Sequence, residues 1–220
     1  MIRTPGQIER GSMEIIRAEL RERGISLPTE NEAVILRCIH ASADFDYAAN
    51  LRFTPGAVRE ATEALRRGTD LVTDTNMALA GISKPGLQKL GASAYCYMAE
   101  AVIAERAKAQ GTTRAAAAMD WAAERNPGAV LAVGNAPTAL LRIAEQIGEG
   151  LRPALVIAVP VGFVNVVESK ELIFAACSTA DVPCIAAMGR KGGSSIAAAI
   201  CNALIYSAAD LLEPAARGWN

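Results

Sequence analysis

The chain has 220 residues, of which 51% are apolar, so it can enclose a large hydrophobic core within one domain. Its 22 lysines and arginines against 23 aspartates and glutamates give a net charge of -1, which excludes a broad basic surface for nucleic acid or an anionic membrane. The five cysteines are odd in number and form no Cys-x-x-Cys pair, a pattern typical of reduced thiols in a cytoplasmic protein and unfavourable for structural zinc.

The N-terminal stretch "MIRTPGQIERGSMEIIRAEL" is charged throughout and lacks the apolar core of a signal peptide. The longest apolar run, near residues 196–209, is short and is interrupted by Asn202. We therefore expect a soluble, cytoplasmic protein without a membrane segment.

A helix is predicted from about Glu30, because Thr29 and Glu32 have the spacing of a capping box. This helix places His40 close to its last turn. Since a histidine there meets the negative end of the helix dipole, and Asp44 follows four residues later, both features favour the protonated imidazole.

Three further elements complete the first half of the chain. The stretch "TPGAVREATEALRRG" predicts a helix with Pro55 in its first turn and Gly68 at its end. A strand "DLVTD" and a helix near "NMALAGI" follow, whereas "ASAYCYM" is an ambiguous strand.

The second half repeats one pattern three times, in "AVLAVGNAPTALLRIAEQ", "ALVIAVPVGFVNVVESKEL" and "PCIAAMGRKGGSSIAAAICNAL". Each stretch reads as a buried strand, a glycine-containing loop and a helix. The repeat predicts an α/β fold in a single domain over residues 1–220, with a mainly parallel sheet between two layers of helices. Ligands of such folds bind beyond the carboxyl ends of the strands.

His40 is the only histidine, which argues against a histidine-rich metal site. Its position suits a general acid, but a helix-terminal histidine that only offsets the helix dipole remains the alternative. A cysteine–histidine hydrolase would have to pair His40 with an unidentified thiol.

The loop "GRKGGSS" combines two cations, Arg190 and Lys191, with backbone N–H groups and a helix N-terminus, which favours a bound carboxylate or phosphate. A plain turn is the alternative. The loop matches neither a Walker A motif nor G-x-G-x-x-G, so a nucleotide-using transferase is the weaker interpretation. The loops "GNAPTA" and "DTNMA" occupy equivalent positions.

Arg114 stands at a predicted helix start, where its charge opposes the helix dipole and no carboxylate is near in sequence. This position indicates an anionic ligand. A solvated surface arginine is the alternative interpretation.

Six stretches together resemble the precorrin-8X methylmutase family of corrin biosynthesis: "IIRAE", "IHASADFD", "TDTNMALAGI", "GNAPTAL", "PVGFVNVVESKEL" and "GRKGGSSIAAAICNAL". The resemblance spans nearly the whole chain, with the motifs in family order. It implies an isomerase that moves a methyl group from C-11 to C-12 of precorrin-8 or its cobalt form, giving hydrogenobyrinate or cobyrinate. It also implies a homodimer with sites near the interface, and neither an external cofactor nor a metal held by the protein.

The resemblance also implies roles for particular residues. His40 matches the family acid that protonates the macrocycle near ring C and so promotes a 1,5-sigmatropic shift. Ser12 matches a serine that contacts substrate, and Arg114 would pair with a peripheral carboxylate. Together with the three loops, the expected substrate-binding residues are Ser12, Thr75, Arg114, Asn135, Thr138, Arg190, Lys191, Gly192, Gly193 and Ser194.

The stretches "SADFDY", "TDTNMALAG" and "GRKGG" are more similar to the anaerobic, cobalt-first branch of the family than to the metal-free branch. A non-catalytic carrier that sequesters the corrinoid and passes it on is the alternative function. Both functions predict corrinoid binding, and only the enzyme predicts turnover.

Overall fold

The computed structural model describes residues 4–219, and within them the chain forms eleven α-helices, one 3-10 helix and six strands. The α-helices are α1 (Pro5–Glu22), α2 (Glu32–Ser42), α3 (Tyr47–Asn50), α4 (Ala57–Arg66), α5 (Asn76–Gly81), α6 (Lys84–Leu90), α7 (Ala101–Gln110), α8 (Arg114–Arg125), α9 (Pro137–Gly148), α10 (Val166–Thr179) and α11 (Ser194–Ala208). The 3-10 helix is Pro214–Arg217. The strands are β1 (Leu51–Phe53), β2 (Leu71–Thr73), β3 (Ala94–Tyr95), β4 (Val130–Val133), β5 (Leu155–Ala158) and β6 (Cys184–Ala187).

The six strands form one sheet in the order β1-β6-β5-β4-β2-β3. All neighbouring pairs are parallel except the edge pair, in which β1 runs antiparallel to β6 with Leu51 opposite Ala187. The segment that enters β1 therefore lies at the edge where the other strands end. A backbone hydrogen bond from Met188 to Asn50, 2.8 Å long, joins the two segments there.

Side chains of the buried strands alternate between two hydrophobic cores, as the period of a strand requires. In β4, Val130 and Ala132 face the core beneath α2, α4 and α11, whereas Leu131 and Val133 face the core beneath α8, α9 and α10. Helices thus cover both faces of a mainly parallel sheet. The predicted α/β class, with three layers in a single domain, is confirmed.

Most predicted elements are present. The three repeated units are β4-α9, β5-α10 and β6-α11, and their strands pair in parallel. His40 lies in the last turn of α2, and Arg114 is the first residue of α8. Thr75 caps α5 by accepting a hydrogen bond from the N–H of Ala78. The ambiguous stretch "ASAYCYM" does contain a strand, β3, but only Ala94 and Tyr95 belong to it.

Two details of the predicted helix starts are wrong. The capping box of Thr29 and Glu32 does not form, because residues 28–31 make a turn and α2 begins after Asn31, which caps it without a side-chain bond. Pro55 lies outside α4, because Gly56 has a φ of 72° and so separates the proline from the helix. Left-handed backbone of this kind suits glycine and cannot continue a helix.

Within residues 4–219, no helix has both the length and the apolar composition needed to cross a membrane. All five cysteines are free thiols, and four of them are buried.

Candidate active site

The loops predicted to bind substrate meet at the carboxyl edge of the sheet. Thr75 follows β2, Asn135 and Thr138 follow β4, and residues 190–194 follow β6. Because β2, β4 and β6 are parallel members of one sheet, their carboxyl ends share this edge.

The buried carboxylate of Asp74 holds the loops after β2 and β4 together. It accepts hydrogen bonds from the backbone N–H groups of Gly134, Asn135 and Ala136, each 2.8 Å long. Asp74 is only 1% exposed. Burial raises its pKa, and the three N–H donors oppose that rise because they favour the ionised form.

Two further contacts bring the start of α11 to the same place. The hydroxyls of Thr75 and Ser194 are 2.8 Å apart. Gly134 lies so close to Ser194 that a Cβ at residue 134 would be 2.8 Å from the Cα of Ser194. The predicted residues Thr75, Asn135 and Ser194 therefore form one cluster.

Arg114 joins this cluster through its neighbour Thr113. The hydroxyls of Thr113 and Thr138 are 2.9 Å apart, and the Thr113 hydroxyl also caps α8. Arg114 is exposed and has no ion-pair partner among the residues that the structure describes. Its guanidinium is therefore free to bind an anion.

The glycine loop of residues 189–193 packs tightly against the end of β5. The N–H of Gly193 donates to the carbonyl of Val159 over 2.8 Å. A Cβ at Gly192 would be 2.1 Å from the same carbonyl oxygen, and the φ of Gly192 is 157°. Only glycine fits this position without a shift of the backbone.

The two cations of this loop differ in their surroundings. Lys191 is not a free cation, because its Nζ lies 2.6 Å from Asp44 Oδ2 and 2.5 Å from Asp46 Oδ2. Lys191 was predicted to pair with a substrate carboxylate, but in the structure it pairs with two carboxylates of the protein. The guanidinium of Arg190 is exposed and lies 5.4 Å from the centre of the Phe163 ring.

His40 is linked to this edge through the chain, because Asp44, four residues later, binds Lys191 of the glycine loop, and the charges of a buried ion-pair network act on its ring. Glu9 on α1 accepts from Arg37 Nη2 over 2.9 Å and also binds Arg217. His40 is exposed overall, yet the protein packed around its ring is the main cause that lowers its pKa below the usual 6.5. The Arg37 cation lowers this pKa further, and the Glu9 carboxylate opposes the fall.

This direction is opposite to the one expected from sequence position. Asp44, which was expected to favour the protonated imidazole, binds Lys191 instead, and that hydrogen bond lowers the pKa of Asp44. Burial of the ring and the Arg37 cation thus lower the pKa of His40 although it lies in the last turn of α2.

Ser12 lies on α1, one turn beyond Glu9, and its hydroxyl donates to the Ile8 carbonyl over 2.8 Å. Among residues 4–219, no hydrogen bond links Ser12 or His40 to the cluster around Thr75 and Ser194. A groove of about 430 Å³ between α1, α2 and residues 212–214 is lined by Glu9 and Arg37 but by none of the predicted site residues.

Sequence reasoning missed two charged residues that shape the edge. Asp74 directly follows β2, a position from which a carboxylate can reach neighbouring loops. Lys170 is fully buried and donates to two carbonyls of the glycine loop. The sequence pattern could have indicated this burial, because Lys170 shares a helical face with Val166, Ile173 and Cys177, which are apolar and buried.

The edge presents hydroxyls, arginines and backbone N–H groups, and the Asp44–Lys191 ion pair ties to it the segment that follows the exposed His40. Within residues 4–219, no three histidine, cysteine, aspartate or glutamate side chains are grouped as metal ligands would be. Such donors suit a large ligand that carries several carboxylates.

Comparison with known proteins gives consistent matches over most of the chain. A family model described as precorrin-8X methylmutase matches residues 7–207. The cobalt-precorrin-8 methylmutase of Salmonella typhimurium is 42% identical over 210 residues, which cover 93% of this chain and 96% of that protein. The precorrin-8X methylmutase of Pseudomonas aeruginosa is 38% identical over 204 residues, covering 92% and 96%. A crystal structure of precorrin-8X methyl mutase from Thermus thermophilus superposes with a TM-score of 0.82 at 39% identity, covering 92% of this chain and 98% of that one.

We expect Asp74→Asn to lower the free energy of unfolding by about 2 to 3 kcal/mol, because an amide cannot accept all three N–H groups and its own donors oppose them. Urea denaturation followed by circular dichroism measures this change. Asp181→Asn, which removes the same charge from an exposed turn, is the control and should stay within about 0.5 kcal/mol of the unmodified chain. Equal losses in both variants would show that the three hydrogen bonds of Asp74 do not stabilise the fold.

Proposed function

The chain belongs to the precorrin-8X methylmutase family, and we propose that it transfers the methyl group at the carboxyl edge of its sheet, with His40 as the acid. Membership makes it an isomerase of corrin biosynthesis that acts on a corrinoid substrate. The observation that carries the proposal is the ion pair of Asp44 with Lys191, which ties the segment just after the exposed His40 to the edge where three loops gather anion-binding groups.

The proposed chemistry needs only a proton from the protein. The His40 imidazolium protonates the macrocycle near ring C, which makes the conjugated system electron-poor where the methyl group arrives. The bond from the methyl carbon to C-11 breaks as the bond to C-12 forms, and the proton then returns to His40. No electrons are gained or lost overall, so the reaction is a balanced isomerisation.

Carboxylate arms of the substrate account for the other groups at the edge. A macrocycle with acetate and propionate arms requires several separated anion-binding groups rather than one phosphate cradle. Arg114 and Arg190 supply two cations, and Thr75 and Ser194 supply hydroxyls. Lys191 acts differently in this proposal, because it ties the loop of Asp44 and Asp46 to the glycine loop.

We also infer that the enzyme is a cytoplasmic homodimer. Ile8, Ser12 and Ile15 share one face of α1, since they are four and three residues apart. The two isoleucines are 55% and 66% exposed, which is unfavourable for an isolated chain in water. A second copy that covers this face would also bring an interface close to Ser12, which the family resemblance assigns to the substrate.

His40→Ala should reduce turnover by about 10²-fold to 10⁴-fold, the range typical of general acid catalysis, while corrinoid affinity and thermal stability stay near those of the unmodified enzyme. The measurement is the absorbance change of precorrin-8 under multiple-turnover conditions, which a non-catalytic carrier would not produce. Ala41→Ser, at the exposed neighbour, is the control. Normal turnover per folded His40→Ala molecule would assign the histidine a structural role.

The pH profile of the same reaction provides a second measurement of His40. Because the acid form is active and its pKa is lowered, kcat/KM should fall as pH rises through a midpoint below 6.5. The pH profile of kcat reports the enzyme–substrate complex. Substrate carboxylates raise the pKa of His40 there, so the midpoint for kcat should lie higher than that for kcat/KM. Flat profiles for both constants would exclude His40 as the rate-limiting proton donor.

Arg114→Ala and Arg190→Ala should each weaken the binding of cobyrinate by roughly 1 to 3 kcal/mol, the cost of one charge-assisted contact. Calorimetric titration measures the affinity, which should also fall with added salt. Arg59→Ala, which removes the same charge, is the control. Arg59 lies on α4, and α4 follows β1 at the edge of the sheet opposite to the proposed site. If the two edge variants bind like Arg59→Ala, the substrate does not lie at this edge.

Ile15→Glu should convert the proposed dimer to monomer, because it places a charge in the apolar contact. Sedimentation velocity distinguishes the two states. The matched control is Leu172→Glu on α10, which replaces a leucine that is 48% exposed. A monomeric unmodified enzyme, or a dimer that persists in Ile15→Glu, would contradict this interface.

A further inference from the structure

Lys170 is a buried cation that the proposed reaction leaves unused. It lies within α10, is 0% exposed, and its Nζ donates to the carbonyl oxygens of Gly189 and Lys191, both over 2.8 Å. Burial lowers its pKa to about 8. A buried lysine is costly unless it is hydrogen-bonded, so its presence on an apolar helix face needs a reason beyond packing.

The two bonds fix the orientation of the glycine loop. In a trans peptide the C=O of one residue and the N–H of the next point in opposite directions. Turning the carbonyls of Gly189 and Lys191 toward Lys170 therefore turns the N–H groups of Arg190 and Gly192 away from α10. Neither N–H has a hydrogen-bond acceptor among residues 4–219, so both remain available to a ligand.

An apolar side chain at residue 170 could not replace this arrangement. Without the ammonium, two carbonyls packed against α10 would lose their donor, and the loop would gain by turning them toward water. That rotation would move Arg190, whose peptide lies between the two carbonyls. The positive charge beneath the loop also adds to the field that attracts an anion, and its effect is strengthened by the low dielectric of the interior.

We propose that Lys170 is a positioning residue that holds the glycine loop of residues 189–193 in the conformation that receives a carboxylate of the corrinoid. It acts through the carbonyls of Gly189 and Lys191, without touching the substrate. This inference rests on the proposed role of the edge in substrate binding. It assigns α10, which carries none of the predicted site residues, a function in recognition.

The main experiment is calorimetric titration with cobyrinate, with affinities expressed per folded molecule. Lys170→Met, which has similar length but no donor, should raise the dissociation constant roughly 10-fold to 100-fold. Its effect should be smaller in an Arg190→Ala background, because both changes impair the same contact. Lys170→Gln, which keeps N–H donors without the charge, should have an intermediate effect.

Ser169→Ala is the matched control. Ser169 is also 0% exposed on α10, but its hydroxyl donates to the Val166 carbonyl within the helix and forms no hydrogen bond to the loop within residues 4–219. It should lower the melting temperature and leave the cobyrinate affinity within about twofold. If Lys170→Met also lowers only the melting temperature, Lys170 is merely structural and the inference is wrong.

A measurement on the unmodified enzyme covers the case in which no variant of Lys170 folds. Its cobyrinate affinity should fall as pH rises through about 8, where Lys170 loses its proton. The charged residues of the loop that Lys170 binds are Arg190 and Lys191, the latter paired with Asp44 and Asp46, and Glu168 and Glu171 are its charged neighbours along α10. Asp44 and Asp46 raise the pKa of Lys191, so a change in affinity between pH 7 and 9.5 is expected from Lys170 and not from Lys191. No charged side chain of residues 4–219 is a cause of the Lys170 shift, which burial produces.

The outcomes separate this inference from the proposed function. If Arg190→Ala binds cobyrinate normally, the glycine loop is not an anion site and the proposed function is wrong at this point. If Arg190→Ala weakens binding while Lys170→Met does not, or while the affinity of the unmodified enzyme is constant from pH 7 to 9.5, only the role of Lys170 is overturned.

Discussion

The arrangement of the site depends on one constraint, the satisfaction of backbone polar groups in loops that belong to no helix or strand. Loops at the edge of a parallel sheet bring N–H and C=O groups into partly buried positions where water cannot reach all of them. Asp74 meets this requirement on one side, since its carboxylate accepts three N–H groups of the loop after β4. Because the hydroxyl of Thr75 is hydrogen-bonded to that of Ser194, the segment of Asp74 and Thr75 also positions the start of α11.

Lys170 is the counterpart of Asp74. A buried anion holds N–H groups in the loop after β4, and a buried cation holds C=O groups in the loop after β6. Each ion fixes several peptide units at once, which a neutral side chain with one donor or acceptor could not do. Burial raises the pKa of Asp74 and lowers that of Lys170, which shows that burying each charge is unfavourable. The hydrogen bonds that fix the two loops offset part of this cost.

The sequence predicts local features of this fold well and long-range partners poorly. Strand-loop-helix units and helix starts at Thr75 and Arg114 are predictable, because periodicity and caps act over a few residues. The pairing of Lys191 with Asp44 joins residues 147 apart in the chain, so no local pattern shows that this cation is already neutralised. The antiparallel course of β1 is also set by the whole sheet rather than by its own three residues.

The electrostatics of His40 indicate how proton supply is linked to substrate binding. Before binding, burial and the Arg37 cation disfavour the imidazolium, and the Arg37 charge is itself offset by Glu9, which Arg217 also binds. A corrinoid that brings several carboxylates adds negative potential at the edge, which favours the protonated ring. Substrate binding therefore raises the pKa of His40 and increases the fraction of the ring that is protonated when the proton is needed. The acid is therefore completed by the ligand rather than by the helix dipole alone.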